Sequence, residues 1–409
     1  MVERSARGIA GLAAVAVLAL ATYWTLRIAI ADQLFRARSL DRVERAVRMA
    51  PGNARYFAGL AEYREAEGLD PDAALAESSR LNPMDSSVKI RRGLRAEFNN
   101  DFALAEKFLL EAAAVDKLFD PRAALMNFYF RRNNPEPFWR WAREAFAISY
   151  GDLTSLFRLC WRMTPDPQVI RVRALPSDRQ VLRKYLRFLL AENRLYAAEP
   201  IASQLAVVAE TEDVPAVLDF IDRRPMLEAW NSLCVRNLMP FAPLAPDRAV
   251  SLTNGDFRVA PTSRGFDWRI APTEGVSAVQ VNPRGLRIDL SGKQPEQCEL
   301  LVQWVALSPG KNCHLRFRYQ TSTTLSGLQW RLIDQAAGVD LLPASPQLSS
   351  ADEKQEEIAF AAPGRVSNRN PKSEIRNLFS LVLGYSRAVG TPRQEGSITL
   401  RDMELGCAN

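Results

Sequence analysis

The sequence predicts a multidomain chain of α-then-β class: an N-terminal transmembrane helix, an α-helical solenoid and a C-terminal antiparallel β-sandwich. Three observations predict it. The run Gly8 to Ile30 is apolar apart from Arg27. Apolar residues then recur at helical spacing from about Asp32 to Asn237, broken by short polar turns. After Asn254-Gly255-Asp256-Phe257 the spacing changes to a period of two. The expected divisions are a basic flank at 1–7, a membrane helix or signal anchor at 8–30, the solenoid at 32–238, a proline-rich linker at 239–249 and the sandwich at 250–409.

At 1.5 Å per residue, Gly8 to Ile30 matches the about 30 Å of a bilayer's hydrocarbon core, with Tyr23 and Trp24 placed near one interface. A cleavable signal peptide would use Ile9 to Leu20 as its core and Ala19-Leu20-Ala21 or Ala29-Ile30-Ala31 as its cleavage site. The run continues well past such a core, so a retained single-pass anchor is expected. Arg4 and Arg7 favour a cytoplasmic N-terminus, while Arg27, Arg36, Arg38 and Arg42 pull against it. Domain content decides for a cell-membrane protein with its bulk on the periplasmic or extracytoplasmic side.

The 409 residues carry a net charge of +6 from intermixed acids and bases, with 47% hydrophobic residues. That balance is ordinary for globular domains and does not point to nucleic acid. The five cysteines are widely spaced and include no Cys-x-x-Cys, which excludes a zinc site or a disulfide framework. One bridge, Cys298 to Cys313, is open if their strands are neighbours. Buried free thiols are the other reading.

In the helical region, Gly93 and Ala96 fall in one helix, Asn99-Asn100-Asp101 forms a turn, and Ala105, Leu109, Ala112 and Val115 stripe a second helix. The preceding unit repeats the arrangement, with Phe57, Leu60 and Ala61, then Ala73 and Ala74, closed by Leu81-Asn82-Pro83. Small residues at Gly93, Ala105 and Ala112 allow close helix approach. This pattern resembles the tetratricopeptide repeat, whose period is about 34 residues. Later hairpins keep the length and lose the pattern. Ser177 and Gln180 have capping-box spacing ahead of Val181, Leu182, Tyr185, Leu186 and Leu189. Such a solenoid implies a protein partner on its long face.

Three prolines in Met239 to Pro246 cannot continue a helix. Beyond them, Leu286, Ile288 and Leu290 alternate, as do Leu300, Val302 and Trp304; Leu315, Phe317 and Tyr319; Leu328, Trp330 and Leu332; Phe379, Leu381, Leu383 and Tyr385; and Ile398 and Leu400. About eight short strands of this kind predict a sandwich or jelly roll. Asn254-Gly255-Asp256-Phe257, the element around Trp268, Ser308-Pro309-Gly310 leading into Leu315 to Tyr319, and the closing Gly396 to Leu400 resemble the galactose-binding-like jelly rolls used as carbohydrate-binding modules. Together with the anchor and the helical repeats, the architecture resembles bacterial proteins of exopolysaccharide production and export.

The resemblance implies a polysaccharide ligand, and a sugar site needs an aromatic platform with planar polar side chains. Alternation assigns Trp304, Tyr319 and Trp330 to the core, leaving Trp268, beside Arg269 in a loop, as the expected exposed aromatic. The opposite strand faces carry Gln303, Arg316, Arg318, Gln320, Gln329 and Arg331. The expected ligand residues are therefore Trp268, Arg269, Gln303, Arg316, Arg318, Gln329 and Arg331, with an ordinary solvated sheet face as the alternative. No catalytic residue, metal ligand or cofactor is assigned. His314 is the single histidine and has no Gly-x-Ser-x-Gly element to serve. Nucleotide-phosphate loops are absent from the sequence. A glycoside hydrolase needs only two carboxylates, for which Asp267, Glu299 and Asp334 are nominal candidates. The expected function is a non-enzymatic membrane-anchored scaffold, with a purely structural assembly protein as the alternative.

Overall fold

The computed structural model describes residues 2–148, 151–282, 284–322, 325–335, 338–342, 345–364 and 378–408, with side chains from Leu12 onward apart from those of Ala13 and Ala408. The described chain runs as helices, then as strands, and divides into two compact units, Met1–Pro176 and Ser177–Asn409.

The first unit is built from antiparallel hairpins: α1 (Val2–Arg36) with α2 (Leu40–Met49), α3 (Ala54–Ala66) with α4 (Asp72–Leu81), α5 (Ser86–Phe98) with α6 (Phe102–Val115), and α7 (Phe119–Arg131) with α8 (Pro135–Ile148). Then come α9 (Thr154–Met163) and α10 (Pro167–Arg173). Helix starts are set by acidic and amide caps. Asn53 accepts from Arg55 N, Asp85 from Ser87 and Val88 N, and Asp101 from Leu104 N, each cap contributing about 1 kcal/mol. The turns inside hairpins share one device. Gly68, Asn100 and Asn133 take left-handed φ values of 72°, 62° and 49°. The next residue then reaches back with its N–H: Leu69 to Arg64 O, Asp101 to Ala96 O and Asn134 to Tyr129 O, at 2.8–3.0 Å. Glycine and asparagine tolerate that conformation, which closes the helix C-terminus.

Close approach follows the small residues, as expected. Ala105 and Ala112 are fully buried, and a Cβ on Gly93 would stand 2.8 Å from Leu109 Cγ. At its far end α1 is part of this packing too. Ala31 is buried with Ala46 and Tyr56, the Phe35 ring lies tilted 5.0 Å from that of Tyr56, and Arg27 Nε donates to Met49 O at 2.6 Å. Its segment Ala14–Arg36 is long and apolar enough to cross a membrane, and Leu12, Val15 and Leu18 are exposed.

In the second unit α11 (Arg179–Ala191), α12 (Leu195–Val208), α13 (Val214–Arg223) and α14 (Leu227–Val235) precede nine described strands. Asp178 caps α11 through Val181 N, in place of the Ser177 expected from the box spacing. Asn193 and Asn237 repeat the left-handed turn, with Arg194 N to Leu189 O and Leu238 N to Leu233 O. Leu244 is pinned to α14 by paired 2.8 Å hydrogen bonds with the Asn231 amide.

The strands are β1 (Arg269–Ile270), β2 (Val276–Val281), β3 (Gly285–Ser291), β4 (Gln297–Ala306), β5 (Asn312–Thr321), β6 (Leu328–Asp334), β7 (Lys354–Ala361), β8 (Leu378–Ser386) and β9 (Glu395–Ala408). They form two antiparallel sheets, β1-β4-β8-β6 and β2-β3-β9-β5-β7, around one core. The alternating sets on β3, β5, β6, β8 and β9 all face that core. β4 departs from expectation. A register shift between Glu299 and Leu301 turns Leu301, Gln303 and Val305 inward and leaves Val302 and Trp304 on the outer side. A bulge adds one residue to one strand, so a strict period-two reading inverts beyond it.

The disulfide joins Cys313 to Cys407, paired across β5 and β9, and Cys298 is free on the other sheet. The Cys298–Cys313 alternative is thereby corrected: sequence distance carries no information on strand register. The bridge closes a separation of 94 residues, which in the loop-entropy account stabilises by up to about 4–5 kcal/mol. Cys407→Ser is expected to lower the unfolding free energy, read from the urea midpoint and slope, by up to that scale, and dithiothreitol to lower the parent to match. Equal midpoints for parent and variant under oxidising conditions would rule the bridge out as a stabilising element.

Candidate functional site

The seven expected ligand residues do not share one surface of the second unit. Trp268, expected to be exposed, is fully buried. The opening motif is the cause. Asn254 adopts a left-handed φ of 52°, and its Nδ2 donates to Val259 O at 2.8 Å and Asp267 Oδ1 at 3.2 Å. Its carbonyl accepts from Trp268 Nε1 at 3.1 Å, and Asp267 Oδ2 accepts from Thr262 N at 2.6 Å. Gly255 lies so close to β9 that a Cβ would stand 2.0 Å from Met403 O. Asn254, Gly255, Asp267 and Trp268 therefore form a latch at the rim of the core. Burial pushes the Asp267 carboxyl above the ordinary carboxylate range, against hydrogen bonds from Thr262, Trp268 and Asn254. A raised carboxylate favours the fold below its unfolded pKa, and that contribution fades as pH rises through the folded value.

Arg269 belongs to a joint. Its Nη2 donates to Asp222 Oδ1 at 3.1 Å and Gly265 O at 2.5 Å, and its guanidinium lies 3.7 Å from the centre of the Trp304 ring. Asp222 also receives Arg264 and, at 2.6 Å, Gly265 N. Phe266 sits between Trp230 of α14 and Trp304 of β4, at 6.1 and 6.2 Å. Burial lowers the Arg269 pKa, opposed by Asp222. Gln303 is buried and donates to Thr253 O at 2.8 Å. Arg316 and Arg318 are on the five-stranded sheet, where Arg316 pairs with Glu357 at 2.9 Å and Arg318 with Glu353 at 2.8 Å and with Asp402. The expected single arginine-glutamine surface is thus corrected. Trp268, Arg269 and Gln303 are committed elsewhere, and the other four divide between two sheets.

Gln329 and Arg331 are brought together on the outer face of the four-stranded sheet. Cross-strand rows there are Glu299–Gly384–Gln329 and Val302–Val382–Arg331. They bound an open groove of about 380 Å³, whose lining includes Gln297, Cys298, Glu299, Gln329, Arg331 and Gly384. A Cβ on Gly384 would meet Arg331 Cδ at 4.0 Å, so the missing side chain keeps the floor low beside the guanidinium. Gln329 Nε2 donates to Ser345 O at 2.7 Å. Arg331 Nε donates to Asp340 Oδ2 at 3.0 Å, while Asp340 Oδ1 accepts from Leu332 and Leu342 N. Asp340 is thus held by backbone and in turn orients the guanidinium, whose side chain stays 51% exposed. Burial raises the Cys298 thiol pKa, which disfavours thiolate chemistry.

An amide, a guanidinium and a carboxylate around a low floor offer planar donors and acceptors that suit vicinal hydroxyls or a carboxylate. Glu299 was singled out among nominal acids, whereas Gly384 and Asp340 were not. A glycine inside an apolar strand is the available signal for Gly384. Of the nominal hydrolytic carboxylates, Asp267 is locked in the latch and Glu299 lines the groove.

The chain therefore combines an N-terminal apolar helix, antiparallel helical hairpins and a two-sheet antiparallel β-sandwich. No protein-family model and no curated protein matches it. Among solved structures it is similar to one described as "CBM4 structure and function" (12% identity, 39% of this chain, 100% of that chain, TM-score 0.30). The N-terminal cellulose-binding domain of Cellulomonas fimi beta-1,4-glucanase C matches at 15% identity over 34% of this chain and 92% of that chain, with a TM-score of 0.23. PilW, a type IV pilus biogenesis factor, matches at 9% identity over 52% and 91%, with a TM-score of 0.27. Likeness at this level decides neither ligand nor partner.

Trp268→Ala is expected to cost about 3–5 kcal/mol, the range for truncating a buried aromatic. Thermal melting of the variant checks this. An unchanged transition would place the side chain outside the core.

Proposed function

We propose that the chain is a non-enzymatic, membrane-anchored scaffold whose solenoid binds a protein partner and whose sandwich binds polysaccharide in the groove of the four-stranded sheet. The observation that carries this reading is the Glu299–Gly384–Gln329 row beside Arg331, an open polar groove whose guanidinium is pre-oriented by Asp340. Preorientation lowers the ordering cost of binding. An acidic polymer suits the site best, because a guanidinium can hold a sugar carboxylate through two parallel hydrogen bonds.

Location on the exported side is supported by the Cys313–Cys407 disulfide, since such bridges persist in oxidising compartments. Retention of the anchor is supported by Ala31 and Phe35. Both pack in the first hairpins, and cleavage after Ala31 would detach the buried alanine from its cluster. Membrane anchorage, repeats and a sugar-binding sandwich together fit cell-envelope or bacterial exopolysaccharide assembly. Among the described residues Glu299 is the carboxylate lining the groove, whereas glycoside hydrolysis needs two. That supports binding over cleavage.

A purely structural role is the second reading. It is favoured by the sandwich aromatics: among the described residues from 250 onward, each Phe, Tyr and Trp is buried or half-buried. Sugar stacking would then have no exposed ring.

Titration calorimetry of the full chain in detergent against alginate and against neutral cellulose oligomers separates the two readings. Arg331→Ala and Gln329→Ala are each expected to weaken binding about tenfold, near 1.4 kcal/mol, with unchanged melting. No binding by the folded parent, or binding indifferent to both substitutions, leaves the structural reading.

A further inference from the structure

The apolar helix does not end before the solenoid begins; its last turns are the first helix of the first hairpin. That continuity fixes which edge of the first unit meets the membrane. α2 runs back antiparallel to α1, so Met49, whose carbonyl accepts from Arg27 Nε, lies at the depth of Arg27. Arg27 is three residues from Trp24, about 4.5 Å of helix rise. Tyr23 and Trp24, 56% and 47% exposed, mark the aromatic level of a bilayer interface. The α2–α3 loop, Ala50 to Asn53, therefore stands at headgroup depth.

The neighbouring loops continue that edge. Ser78 Oγ of α4 donates to Ala54 O at the start of α3, and Ser86 Oγ after the α4–α5 loop donates to Asp116 Oδ2 before α7 at 2.7 Å. On this edge Met84 and Leu118 are 66% and 63% exposed, beside exposed Arg48, Arg55 and Lys117. Its acids include Asp85 and Asp116, whose carboxylates accept from Ser87, Val88 and Leu118 N, and exposed Asp120. The opposite edge, where α3 turns to α4 and α5 to α6, carries Glu65, Asp70, Asp72 and Glu97 paired with Arg91, Arg95 and Arg131, together with Glu67 and Asp101, and exposes Leu69 and Phe98. The feature particular to the anchor-side edge is its depth: it shares the level of Arg27 and Trp24, and there Arg48, Arg55 and Lys117 stand beside exposed Met84 and Leu118 while Asp85 and Asp116 are engaged by backbone N–H groups. Cations beside apolar side chains at that depth suit an anionic lipid surface.

We propose that the edge formed by the α2–α3, α4–α5 and α6–α7 loops rests on the membrane. Met84 and Leu118 enter the headgroup layer, and Arg48, Arg55 and Lys117 meet lipid phosphates. The first hairpins then stand at a set tilt on the bilayer in place of swinging on a tether. The proposal rests on the reading of α1 as a retained anchor.

Hydrogen exchange of the full chain tests it, in nanodiscs of phosphatidylethanolamine and phosphatidylglycerol against detergent micelles. Amides of 50–53, 82–85 and 116–118 are expected to exchange at least about tenfold more slowly in the nanodisc. Amides of 67–70 and 99–101 are expected to be unchanged. The double variant M84E/L118E, both exposed positions, is expected to lose that protection with an unchanged melting curve. A chain that stays in membranes through carbonate extraction but shows equal exchange in both media overturns the docked edge and leaves the anchor standing. Release by carbonate overturns both.

Discussion

Asp222 is the constraint on which the second unit depends. This one carboxylate near the end of α13 receives the guanidinium of Arg264, the N–H of Gly265 and the guanidinium of Arg269. Without it Arg264 would keep only Asp219, and the half-buried Arg269 would lose its paired carboxylate. Gly265, at φ 57°, lies so near Trp230 that a Cβ would stand 2.4 Å from the ring. The carboxylate therefore captures a backbone bend that only glycine accommodates there. Phe266 then packs against Trp230 on one side and Trp304 on the other, and Arg269 caps the Trp304 face. Helices α13 and α14 and the first strands are joined by the chemistry of a few consecutive residues.

That joint also explains which aromatic residues are unavailable to a ligand. Trp268, the aromatic expected to be exposed, and Trp304, which the bulge leaves on the outer side, are each committed. Trp268 donates to Asn254 O inside the latch, and Trp304 carries Arg269 on its ring. The outer face of the four-stranded sheet is thus covered by packing toward Trp304 and Ser380, where Gln335 reaches the Ser380 hydroxyl. It opens toward Gly384, where the rows end in Glu299 and Gln329.

Much of the fold was legible because it is carried by local periodicity. The helical hairpins show in Gly93, Ala105 and Ala112, and the strand cores in Leu286 to Leu290 and Phe379 to Tyr385. What was not legible depends on partners far along the chain. The bulge at Glu299 leaves no mark in composition, so Trp304 read as core and Gln303 as surface. Trp268 sits between two charged residues and reads as a loop aromatic, until Asp267 is seen to accept from Thr262 N and the Asn254 amide and Arg269 to pair with Asp222. The Cys313–Cys407 pairing follows from β5–β9 register, which no spacing encodes. Gln329 and Arg331 were legible as a pair on one strand face. Their partner Asp340 was not, because it lies beyond the strand end.

The two sheets meet solvent differently, and charge bookkeeping decides which of them suits an anionic ligand. On the five-stranded sheet, Arg316 and His314 share Glu357, and Arg318 and Arg401 share Glu353, with Asp402 also on Arg318. Pairing with Arg316 holds the Glu357 carboxyl below the usual range. Such exposed, screened pairs add little stability, but an acidic polymer approaching that face meets carboxylates already interleaved with the arginines. It would have to displace them while being repelled by them. In the groove, Asp340 engages Arg331 through Nε and is itself occupied by two backbone N–H groups. On the proposed reading a ligand carboxylate would meet the guanidinium edge turned from Asp340, with Glu299, across the Gly384 floor, as the one carboxylate lining the groove among the described residues.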